Sequence, residues 1–114
     1  MSWYYFDQNN SGGSFDHDPS RGIGYGLFVE ANSADEANSR AEDIGLYFDG
    51  YGDCECCGNR WSSAWRDDGN PEPTRYGERW RAVKDGENGD TEWGINLYIH
   101  PLDGKFSVAT RNKD

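Results

Sequence analysis

Three cysteines, Cys54, Cys56 and Cys57, stand within the segment Asp53-Cys54-Glu55-Cys56-Cys57-Gly58. Thiols this close together do not readily reach the Cα separation of about 4.4 to 6.8 Å that a disulfide needs, and an odd count in one cluster is not a disulfide framework. Cys54 and Cys57 have C-x-x-C spacing, and Gly58 tolerates the bend that follows, so one turn can present two sulfurs to one ion. That is half of a zinc knuckle. The second C-x-x-C or H-x-x-x-H is missing, so a closed site draws on Cys56, on a distant His17 or His100, or on a carboxylate such as Asp53. The expectation is a structural zinc, with Cys54, Cys56, Cys57 and His17 as its candidate ligands. A plain reduced cysteine cluster and a redox or nucleophilic thiolate stay open beside it. The thiolate fits least well, because Asp53 and Glu55 raise thiol pKa values and Arg60 is the one cation nearby in sequence.

Two glycine-rich stretches could bind an anion through backbone amides. Asn9, Asn10, Ser11, Gly12 and Gly13, followed by Ser14, are the candidate ligand-binding residues, since glycines let the chain approach a phosphate closely. The segment lacks the lysine and the strand-to-helix setting of a nucleotide loop, so a hairpin loop is the plainer reading. The same holds for the G-x-G-x-G run of Gly22, Gly24 and Gly26. His17 lies between Asp16 and Asp18, which suits a raised imidazole pKa, a metal ligand or a solvated loop. Neither histidine has a serine partner at a recognisable elbow, and no pair of carboxylates stands out as an acid and a base. No enzyme is indicated.

The elements that must hold these residues come from an aromatic rather than an aliphatic chain. Leu, Ile, Val and Phe total 16 of 114 residues and the net charge is −10, which approaches the disordered range. Five Trp and seven Tyr offset this, because each buried ring removes roughly 150 to 250 Å² from water. The length suits one domain over residues 1–114. Trp3 to Phe6 reads as a strand closed by a polar loop, and Tyr25 to Glu30 as a second strand. Ser33 to Glu36 forms a capping box that starts a helix over about residues 34–44. Ala34, Ala37, Ala41 and Ile44 make its narrow stripe, and Gly45 stops it. Leu46 to Phe48 reads as a short extended segment, and Trp61 to Trp65 as a strand or a helical turn.

Residues 66–78 are polar and proline-broken, a loop. Arg79 to Val83 reads as a strand with Trp80 and Ala82 inward, and residues 85–90 as a turn. Ile95, Leu97 and Ile99 alternate with polar neighbours, and Pro101 to Gly104 turns the chain toward Phe106, Val108 and Thr110, a C-terminal β-hairpin. The fold expected is a small α+β domain, an antiparallel sheet with one packed helix.

The chain resembles a group of short, uncharacterised bacteriophage proteins. The likeness runs through Asn9 to Phe15, Phe28-Val29-Glu30-Ala31 with Ser33, Glu36-Ala37 and Ala41, Gly45 with Tyr47-Phe48, and Cys54 to Trp61. It covers roughly residues 4 to 65. What it implies is a phage origin and the cytoplasm of an infected bacterium, where thiols stay reduced. No apolar run is long enough to span a bilayer and no basic-then-apolar leader opens the chain, so a soluble, unexported protein is expected. The acidic charge repels nucleic acid directly and attracts basic protein faces.

The first functional expectation is therefore a non-enzymatic binder of a host or anti-phage defence protein. The alternatives are a sponge for a small nucleotide immune signal, and a zinc-stabilised mimic of nucleic acid. A metal-dependent hydrolase using the cysteine cluster and a histidine ranks last, since a catalytic zinc needs three protein ligands and an open position beside a usable base.

Overall fold

The aromatic run near residue 3 becomes a strand covered on both faces. In the computed structural model of the chain, which describes residues 2–7, 18–46, 64, 69–84, 86–92 and 95–111, β1 spans Ser2–Asp7. Tyr4 and Phe6 join one apolar cluster, while Trp3 and Tyr5 pack against another. Successive side chains of a strand point to opposite sides, so a run of four rings fits only where both sides are covered. A 3₁₀ turn (Pro19–Arg21) precedes β2 (Gly26–Ala31), which pairs antiparallel with β1, Tyr4 opposite Val29 and Tyr5 opposite Phe28.

The helix α1, Ala34–Ile44, forms where the caps place it. The Ser33 hydroxyl accepts from the Glu36 amide at 3.1 Å. The Glu36 carboxylate, however, accepts from the Asn32 amide at 3.1 Å rather than from that of Ser33, so the capping box is only half made. Gly45 has φ +134°, and the amides of Gly45 and Leu46 both donate to the Ala41 carbonyl. Ala34, Ala37 and Ala41 are buried against Tyr4, Phe6, Leu27, Val29 and Ala31. Three alanines in a row on one face let the helix lie close to the sheet.

The remaining strands are β3 (Thr74–Arg75), β4 (Glu78–Ala82), β5 (Thr91–Glu92), β6 (Ile95–Asn96), β7 (Tyr98–His100) and β8 (Ser107–Arg111). Among the described residues, six form one sheet in the order β1-β2-β7-β8-β4-β3, and β5 and β6 form a separate pair. The expectation of an antiparallel sheet is corrected here, for the sheet is mixed. β2 and β7 run parallel, with Phe28 opposite Ile99. Parallel neighbours require a long crossover, and the chain between these two strands contains α1 and the β3–β4 hairpin.

The sheet also curls until its two ends meet. Trp3 and Asn70 exchange backbone hydrogen bonds of 2.7 and 2.9 Å, and β3 lies against β1. The result is a nearly closed, barrel-like sheet with α1 packed outside it. Its interior holds Phe28, Trp80, Leu97, Ile99 and Ala109, with Trp3, Tyr5 and Tyr25 packed against them.

Three local expectations change with this topology. The segment read as loop contains β3, paired with β4 through Thr74 opposite Arg79 and Arg75 opposite Glu78. Trp80 is buried as expected, but Ala82 is exposed. Ile95 to Ile99 is not one strand: β6 pairs with β5, and after Leu97 the chain joins the main sheet as β7. The C-terminal hairpin is present as β7–β8, with Tyr98 opposite Val108. No helix among the described residues is long and apolar enough to cross a membrane.

Candidate functional site

The β3–β4 connection has only two residues, Tyr76 (φ +52°) and Gly77 (φ +81°). Positive φ at both central positions is the pattern of a type I′ hairpin turn, in which Asn-Gly or Asp-Gly is usual. A tyrosine in the left-handed region is a genuine outlier, and here 76% of it is exposed. Backbone strain of this kind persists where the surroundings over-determine it.

Those surroundings converge on Arg75, which is 8% exposed. Its guanidinium carbon lies 4.8 Å from the centroid of the Tyr76 ring, 5.3 Å from that of Tyr25 and 5.8 Å from that of Tyr5. Arg75 Nε donates to the Tyr5 hydroxyl at 2.9 Å, and the Tyr76 hydroxyl donates to Asp7 Oδ2 at 3.1 Å. Burial, seconded by Asp7, pushes the Tyr5 hydroxyl well above the usual phenol range, against the opposing pull of Arg75. The nearby Asp7 carboxylate also raises Tyr76. Strands β1 and β3 are thus joined at this end of the barrel by a cation held among three rings, with a fourth group, Asp7, fixing the outermost ring.

The opposite end of the barrel opens into a cavity of about 380 Å³ lined by Trp3, Pro73, Trp80, Ala82, Ile99 and Pro101 together with the charged Glu72, Arg79 and Arg81. A smaller cavity, about 200 Å³, lies outside the barrel between α1 and the β7–β8 turn. Arg21, Arg40, Asp43, His100 and Phe106 line it. Arg40 donates to the carbonyl oxygens of Glu30 and Pro101. His100, 4% exposed, donates from Nε2 to the Gly22 carbonyl at 2.7 Å and lies beside Phe106, with ring centroids 5.3 Å apart. Burial lowers its pKa, as does Arg40, so the ring is neutral at pH 7 with Nδ1 as its lone-pair nitrogen.

The candidate metal ligands Cys54, Cys56, Cys57 and His17, and the candidate ligand loop Asn9 to Gly13, lie outside the described residues. So do most of the two segments expected after α1. Among the described residues no group of three or more metal-ligating side chains occurs. The G-x-G-x-G run serves packing rather than anion binding. The amides of Gly22, Ile23 and Tyr25 donate to Pro19, Asp18 and Asn96, and a Cβ on Gly24 would overlap the Asn96 carbonyl oxygen.

A family model described as a domain of unknown function, DUF7296, matches residues 1–113. The chain belongs to the DUF7296 family. No curated protein and no solved structure matches this DUF7296 chain. In this DUF7296 domain the Arg75 cluster is what the sequence reading missed. Its one sequence signal is Tyr76-Gly77 between residues of strand-forming character, and tyrosine is not a residue that marks turns.

Proposed function

We propose that this protein is a phage accessory protein that acts without catalysis, by binding a host or anti-phage defence protein in the infected cell, and that Tyr76 is central to the contact. The observation that carries this reading is a large ring, mostly exposed, fixed in a strained backbone conformation over a buried arginine. Binding energy at protein interfaces concentrates on tyrosine, tryptophan and arginine anchors. A ring already held in place loses little further freedom on association. The charge of −10 favours a partner with a basic face. The phage source is supported by the resemblance through Asn9 to Phe15 and Cys54 to Trp61.

The test compares the wild type with Tyr76→Ala as baits in lysate of a bacterial host. A protein held by the wild type and lost with the variant, at equal bait stability, supports the reading. Equal recovery on both baits, or none on either, overturns it.

A second reading, sequestration of a small nucleotide, is favoured by the smaller cavity. Arg40 there donates to neutral carbonyls and makes no ion pair among the described residues, and Phe106 offers a ring for stacking. Asp43 lines the same cavity and opposes it. A thermal-shift screen with cyclic and ADP-ribose-type nucleotides separates the two readings, since only sequestration yields strong ligand stabilisation.

We also propose a structural zinc at Cys54 and Cys57, completed by Cys56 or a histidine. Protein purified without chelator should carry about one zinc per chain, and Cys54→Ser or Cys57→Ser should lose the metal and melt markedly lower. Metal-free wild type, with both variants melting like the parent, rejects it.

A further inference from the structure

Asn88 and Gly89 are the one Asn-Gly pair in the sequence. A side-chain amide of asparagine is thermolabile, and it is lost when the next backbone nitrogen reaches Cγ. Glycine, without a Cβ, allows the closest approach. Asn88 is exposed. Among the described residues neither its side chain nor the Gly89 amide makes a hydrogen bond. The other described asparagines precede Ser33, Ser39, Pro71 and Leu97, and the side chains of Asn32 and Asn38 are bonded to Glu36 and to the Ala64 backbone.

The pair hangs between two anchored carboxylates. Glu87 accepts from the Arg81 guanidinium at 2.8 and 2.6 Å and from the Lys84 amide at 2.7 Å. Asp90 Oδ2 accepts from the Thr110 hydroxyl at 2.9 Å and from the Arg111 amide at 2.8 Å, clasping the end of β8. Gly89 lies hard against the same strand, where a Cβ would overlap Val108 Cγ1 and the Ala109 carbonyl oxygen. Its φ is not left-handed, so packing is what demands glycine there, and the reactive pair comes with it.

We propose that Asn88 is a site of spontaneous modification to aspartate and isoaspartate, and that the isoaspartate form releases the Asp90 clasp on β8. The Gly89 nitrogen gives its proton to base and attacks Asn88 Cγ. The new N–Cγ bond closes a succinimide, and the side-chain nitrogen takes up a proton and leaves as ammonia. Water then opens the ring. Cleavage of N–Cγ yields aspartate, and cleavage at the backbone carbonyl carbon yields isoaspartate. Isoaspartate routes the main chain through Cβ and Cγ and so adds one methylene between Glu87 and Asp90. Gly89 has no room to move toward β8, so the added length displaces Asp90 from Thr110 and Arg111. The site does not depend on the protein-binding reading.

The full chain, folded or in guanidinium chloride, is held at pH 8 and 37 °C and mapped by mass spectrometry, with isoaspartate detected by enzymatic carboxyl methylation. In the folded chain residue 88 should lose its amide ahead of Asn32, Asn38, Asn70 and Asn96, and Asn88→Gln should stay intact. Nitrogen-15 spectra should show the Arg111 amide exchanging with solvent about tenfold faster or more in the isoaspartate form. Fresh Asn88→Asp, which adds the charge without the methylene, should keep the rate of the unmodified protein. The proposal is overturned if folded Asn88 survives the time in which the unfolded chain reacts fully, if Arg111 exchange is unchanged in the isoaspartate form, or if Asn88→Asp accelerates it equally.

Discussion

Arg75 Nε donates a 2.9 Å hydrogen bond to the hydroxyl of Tyr5, across a separation of 70 residues in the chain. This bond ties β3 to β1 where the sheet closes on itself. Replacing Tyr5 with Phe keeps the ring but removes the acceptor from a buried cation, and hydrogen bonds to charged groups contribute about 1.5 to 3 kcal/mol. Tyr5→Phe should therefore lower the unfolding free energy by about 2 kcal/mol, measured by urea denaturation at pH 7.

The same hydroxyl makes stability fall in alkali. A free tyrosine ionises near pH 10, whereas Tyr5 in the folded chain is held neutral well above that, chiefly by burial. The folded pKa is raised, so the contribution is complete below about pH 10 and is lost as pH rises further, by up to about 1.4 kcal/mol per pH unit. Urea midpoints between pH 8.5 and 11 should drop steeply in the wild type and less steeply in Tyr5→Phe.

His100 gives the opposite dependence. Burial lowers its pKa and Arg40 adds to this, against the bond to Gly22. A depressed pKa contributes stability that is present above about pH 6.5 and lost as pH falls through the folded value. His100→Gln keeps a donor for the Gly22 carbonyl but cannot titrate. Melting temperatures from pH 7.5 down to 5.5 should decline less in this variant than in the wild type.

Two glycines separate steric from conformational need. A Cβ on Gly24 meets the backbone oxygen of Asn96, and backbone cannot swing aside. Gly77 has open space around it but φ +81°. Gly77→Ala should cost about 1 kcal/mol, the penalty of the left-handed region, and Gly24→Ala more than about 3 kcal/mol. Urea denaturation of the two variants compares them directly, and a reversed order contradicts this assignment.

Interactions confined to a few neighbouring residues were legible from sequence. Ser33 with Glu36, the alanine stripe and Gly45 all act within one helix, and α1 formed over the expected residues. The turn after β7 and the inward Trp80 were legible for the same reason. The parallel pairing of β2 with β7 and the meeting of β1 with β3 were not, since alternation along a strand says which sides are covered and not which strand lies alongside. Arg75 was hidden twice over, inside a stretch whose prolines and charges read as loop, and as a buried charge set against tyrosines from β1 and from the residue before β2, which are distant in the chain. The cysteine cluster and the Asn9 to Gly13 loop stood out in sequence and lie outside the described residues.

The position of β8 governs when the protein can fold. Latest in sequence order, it sits in the interior of the sheet and bridges β7 to β4. Until residues 107–111 have left the ribosome, β7 and β4 lack the strand that lies between them. Assembly then depends on contacts between distant residues, which makes folding slow and leaves the nascent chain open to aggregation or to chaperones.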